Sequence, residues 1–127
     1  MKTIYRTDDR ILHRIEEPAE GCWIKLTTPT LEECAMVSER YGIDIADVRA
    51  ALDDEESSRI SLEDDYTLIL VDIPSAEIRN NRNTYTTIPL GIILTEDVLI
   101  TVCTEDTAVL RAFEEQRIRD FSTKKQM

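Results

Sequence analysis

The chain has 127 residues, 42% of them hydrophobic, which is enough for one core of ordinary size and suggests no second. Its 26 acidic and 15 basic side chains leave a formal net charge of -11 and a pI near 4.5. That balance argues against nucleic acid as a partner, because phosphate binding needs a basic footprint, and it suits a cationic one. No apolar run approaches the roughly 20 residues that span a bilayer, and the N-terminus lacks a secretory pattern.

In chain order, residues 3–6 and 11–15 are two short runs of strand formers around Thr7-Asp8-Asp9-Arg10, an edge hairpin with an acidic tip. Residues 16–21 break the pattern. Strand character resumes at Cys22-Trp23-Ile24-Lys25-Leu26, with Trp23 as a core anchor. Thr30 and Glu33 then form a capping box for a helix over 31–40. Its apolar residues are Leu31, Cys34, Ala35, Val37 and Tyr41, and Gly42 is its left-handed stop. A second short helix follows Asp44, with Ile45, Val48, Ala51 and Leu52 on one stripe and Asp47 and Arg49 facing outward.

The stretch 52–74 organises the rest. It holds the acids Asp53, Asp54, Glu55 and Glu56, then Arg59, which is expected to pair with one of them, then Glu63, Asp64 and Asp65 as a turn. Tyr66 to Ile73 follows, a branched aliphatic run stopped by Pro74, which reads as a strand covered on both faces at the centre of the sheet. Polar residues 75–83 form the tip of a long hairpin. Residues 85–94 and 98–103 return as two more strands, so three consecutive strands are antiparallel. Asp106 or Thr104 caps a last helix whose apolar face is Val109, Leu110, Phe113 and Ile118; the polar end after it reads as a truncation ahead of a further structural unit.

An enzyme is the weaker class. His13 has no companion ligand, Ser57, Ser58 and Ser61 lie in no nucleophile elbow, and Gly21, Gly42 and Gly91 make no phosphate loop. Cys22, Cys34 and Cys103 are odd in number and widely spaced, the pattern of buried thiols in a reducing compartment.

Residues 52–60 and 63–70, then Thr87-Ile-Pro-Leu-Gly-Ile-Ile-Leu-Thr95 and Val98-Leu-Ile-Thr-Val102, resemble in order and spacing the cytoplasmic N-terminal domain of the CorA family of magnesium and cobalt transporters. Trp23-Ile24-Lys25-Leu26, the Pro-Thr-Leu-Glu-Glu helix start and Tyr41-Gly42-Ile43 match the same domain. The resemblance implies an α+β fold, a mixed and largely antiparallel central sheet flanked by helices as an α/β/α sandwich. Residues 1–127 would be a single regulatory domain cut before the stalk and the transmembrane helices, at the cytoplasmic face of the cell membrane. In a homopentamer it would sense Mg2+ or Co2+ and hold the channel closed when they are plentiful, and the fragment alone would conduct nothing.

In the family, the helix before the acidic loop carries a Glu-Asp pair of interface ligands; the corresponding positions here are Arg49 and Ala50. Asp53 and Asp54 are the best substitutes, since consecutive acids on a loop can converge on one hard dication, with Glu55, Glu56 and Asp47 as alternates. The plain alternative is a solvated acidic loop. Two other functions stay open: a hydrolase in which Asp53, Asp54 and Glu56 hold Mg2+ to activate water, and an acidic interaction module docking on a basic partner.

Overall fold

The computed structural model describes all residues except 9–10, 54–57, 80–81, 108–109 and 112–127, and leaves aside the side chains of 8, 11, 75–79 and 82–86. Seven strands form one sheet in the order β2-β1-β3-β7-β6-β5-β4. They are β1 (Lys2–Asp8), β2 (Ile11–Ile15), β3 (Trp23–Thr27), β4 (Arg59–Leu62), β5 (Tyr66–Arg79), β6 (Arg82–Thr95) and β7 (Leu99–Cys103). All neighbours are antiparallel except β3 and β7, which run parallel from Trp23 opposite Leu99 to Thr27 opposite Cys103.

The sheet has an apolar layer on each face, because side chains alternate along every strand. On one face Ile24, Leu26, Leu68, Leu70, Ile93, Ile100 and Val102 pack with Cys34, Val37, Val48 and Ala51 from the helices. On the other, Trp23, Leu12, Ile73, Leu90 and Cys103 pack with Leu110, which is helical. Trp23 is the anchor the sequence implied: it is 1% exposed, its indole N–H donates to Thr101 Oγ1 at 2.9 Å, and its ring centre lies 5.0 Å from that of Tyr5. The three cysteines are buried and free, and burial raises each thiol pKa.

Helix α1 (Leu31–Tyr41) starts as its sequence dictates, with the Glu33 amide donating to Thr30 Oγ1 at 3.1 Å and the Thr30 amide to Glu33 Oε1 at 2.9 Å. Gly42, at φ 65, ends it. Its buried face is narrower than the spacing suggests. Cys34 and Val37 are buried, whereas Leu31 is 60% exposed and Ala35 also faces out. Helix α2 (Ile45–Val48) is a single turn that tightens into a 3-10 turn at Ala50–Leu52.

The strand at 66–73 is not the centre of the sheet. Its strand, β5, lies next to the edge, with Tyr66, Leu68 and Leu70 buried but Thr67, Ile69 and Val71 only half-buried; β7 takes the central place. The edge itself is β4, a stretch to which the sequence reading assigned no strand. Nor does Pro74 stop β5: the ladder runs on to Arg79 opposite Arg82, on either side of 80–81, so the tip is not the whole of 75–83. Pro74 faces Thr87 and Pro89 faces Asp72, rungs of one parity. Each can therefore sit on a non-bonded rung, where no donor is required. The Pro89 carbonyl accordingly faces the β7 side, 3.6 Å from the Cys103 thiol.

The 3-10 turn lies on β6 because position 91 is glycine: a Cβ there would stand 3.1 Å from Ala51 Cβ, with Leu70 and Val102 side chains at 3.7 Å. Gly91→Val is expected to push the turn off the sheet and lower stability by about 1–3 kcal/mol. Urea unfolding checks this, and an unchanged midpoint would refute the close approach.

Candidate functional site

The acidic stretch is framed by three elements. Asp44 caps α2, its Oδ1 accepting from the Ala46 amide at 2.9 Å. The 3-10 turn, its Ala50 and Ala51 buried against the sheet, delivers Asp53 to the surface in extended conformation. The chain returns at Ser58, whose hydroxyl donates to Asp72 Oδ2 at 3.3 Å, and enters β4.

At the other end of β4, Glu63, Asp64 and Asp65 are exposed and make the expected turn, closed by the Glu63 amide on the Tyr66 carbonyl at 2.9 Å. Tyr66 then ties the two acidic segments together. Its hydroxyl donates to Asp47 Oδ2 at 2.5 Å and accepts from the Asp44 amide at 3.3 Å. Asp47 thus points inward, not outward as its helical position suggested. Sequence reasoning missed Tyr66; the signal was a polar-tipped aromatic placed directly after an acidic turn.

Burial, then the hydrogen bond to Asp47 and the nearby Asp47 and Glu63 charges, push the Tyr66 hydroxyl up to about 12. The folded chain therefore keeps this proton after the unfolded chain, with an ordinary pKa near 10, has lost it. The stabilisation is complete below about pH 10 and is lost as pH rises toward 12. Absorbance titration at ~295 nm should show one phenol ionising about two units late, and Tyr66→Phe should abolish that step. A native titration complete by pH 11 would contradict the geometry.

The candidate ligands are distributed unevenly. Asp53 is exposed and Asp47 is bonded to Tyr66, while Asp54, Glu55 and Glu56 lie outside the described residues. Of the two positions that the sequence resemblance set against a Glu-Asp pair, Arg49 is exposed and Ala50 is buried. Among the described residues no three His, Cys, Asp or Glu side chains come close enough to hold a metal. Nor is any helix there long and apolar enough to cross a membrane. Surface depressions of about 350 and 210 Å³ lie near Arg40 and Tyr41, lined by neither Asp47 nor Asp53.

The pattern of the CorA-like Mg2+ transporter protein family matches residues 18–126, and the chain belongs to that family, which is one of transporters and not of enzymes. Over 80 residues it is 31% identical to the cobalt/magnesium transport protein CorA of Methanocaldococcus jannaschii, a match covering 63% of this chain and 24% of that protein. The fold matches the complete CorA magnesium transporter structure from the same organism, with a TM-score of 0.74, 19% identity, and coverage of 96% of this chain and 40% of the other. Against the soluble domain of that CorA the TM-score is 0.72 at 23% identity, covering 93% and 48%. The cytoplasmic domain of ZntB from Vibrio parahaemolyticus gives 0.65 at 14% identity, covering 91% and 48%. The chain thus spans a minor part of each of these relatives.

Proposed function

We propose that residues 1–127 act as one regulatory domain at the cytoplasmic face of a divalent-cation transporter, ahead of the stalk and transmembrane helices of the whole protein. Family membership across residues 18–126 carries this reading. The transported and regulatory ion is Mg2+ or Co2+, and the working assembly is a homopentamer. Asp53 and Asp54 are the proposed ligands, with Glu55, Glu56 and Asp47 as alternates.

The physical basis is charge. A chain of net charge -11 repels its own copies, and a dication held by carboxylate oxygens between two of them offsets that repulsion. The ion then favours the closed assembly by binding it more tightly than the open one. Melting and mass measurements on the chain, with and without Mg2+, test this. A higher melting temperature and a heavier species at millimolar Mg2+ are expected. The absence of both would end the sensor role while leaving family membership intact.

A further inference from the structure

Strands β3 and β7 lie side by side in parallel, yet the chain leaves their carboxyl ends toward opposite faces of the sheet. After β3 it enters α1, whose Cys34 and Val37 pack in the first apolar layer; after β7 it reaches Leu110, buried in the second. Beyond the strand ends the two departing segments are joined three times. The Thr28 amide donates to the Cys103 carbonyl at 2.8 Å, and the Thr28 hydroxyl donates to the Thr104 carbonyl at 2.6 Å. Lys25, 4% exposed on the second face, extends its ammonium to Asp106 Oδ1 at 2.8 Å.

Thr28 makes its two bonds at φ 43, and among the described residues it is the one non-glycine position with positive φ. A β-branched residue stays there only when its surroundings hold it. Two residues on is Thr30, the cap of α1. One residue beyond Asp106 is Thr107, whose Oγ1 accepts from the Leu110 amide at 3.3 Å and whose carbonyl accepts from the Arg111 amide at 2.9 Å. The helical turn at Leu110 and Arg111 is thus started by Thr107, not by Thr104 or Asp106, and Asp106 is left to meet Lys25.

We infer that residues 25–28 and 103–106 form a clasp coupling the start of α1 on one face to the chain leaving β7 on the other. Thr28 is its two-state element. It is held left-handed while the Cys103 and Thr104 carbonyls accept from it. When segment 103–106 draws away it returns to negative φ and carries the α1 cap with it. The coupling is energetic and so runs both ways. It goes beyond the transport reading and needs no assumption about the ion.

Amide hydrogen exchange on the full chain tests this. Asp106→Asn, an isosteric change at a half-exposed carboxylate, should speed exchange of the Thr28, Glu33 and Cys34 amides about fivefold or more, the scale of one lost hydrogen bond. Thr28→Ala, which removes the hydroxyl, should do the same to the Leu110 and Arg111 amides. In both, Ile93 and Ile100 amides in the core should be unchanged. Thr28→Gly, which adopts positive φ without strain, should abolish the response of α1 to Asp106→Asn. Effects confined to the mutated side, a uniform rise that includes Ile93 and Ile100, or an undiminished α1 response in the Thr28→Gly background would each overturn the clasp.

Discussion

Trp23→Ala is expected to cost about 3–5 kcal/mol, a large part of the ~5–15 kcal/mol that holds a domain together. The side chain is 1% exposed, stacks near Tyr5 and satisfies the hydroxyl of buried Thr101, so truncation leaves both a cavity and an orphaned polar group. Because the variant has no tryptophan fluorescence, far-UV circular dichroism in urea is the suitable measurement. Leu31→Ala, at a position 60% exposed, should shift the midpoint by no more than about 0.5 kcal/mol. Equal effects from the two changes would mean that the second layer is not a packed core.

The double variant Asp53→Asn, Asp54→Asn is expected to lose its response to Mg2+. At a free ion concentration a hundredfold above Kd, a single native site stabilises the fold by about 2.7 kcal/mol, and the variant should gain none of it. Glu32→Gln with Glu39→Gln removes the same number of charges from α1, where both side chains are exposed. That control should keep the native response, since only general screening is altered. If control and double variant respond alike, the ion acts as a diffuse counter-charge and these two aspartates are not its ligands.

Local chemistry was legible in the sequence where a few neighbouring residues determine the outcome. Thr30 with Glu33, Gly42, the turn at Glu63–Asp65 and the antiparallel run through β5, β6 and β7 could all be read directly. Long-range pairing could not. β4 is four residues long, and its Ile60 and Leu62 are 69% and 79% exposed, so no pattern of burial marked it as an edge strand. Parallel pairing of β3 with β7 joins residues more than 70 positions apart, and that pairing, not apolar content, decides which strand is central. The candidate site was legible as composition only. The bond from Tyr66 to Asp47 depends on α2 folding back over the start of β5, which no spacing rule encodes.

The two prolines of the long hairpin bear on how such chains tolerate crowding. Past the pairings with β4 and β7, neither outer side of the β5 and β6 ribbon has a paired strand among the described residues, and each such side is a template on which a stray extended segment could zip up. Pro74 blunts one flank and Pro89 the other, because an imide nitrogen has nothing to donate to an incoming strand. Copies of this domain gathered at high local density are thereby guarded against fusing through their hairpins, and are left to meet through side chains instead.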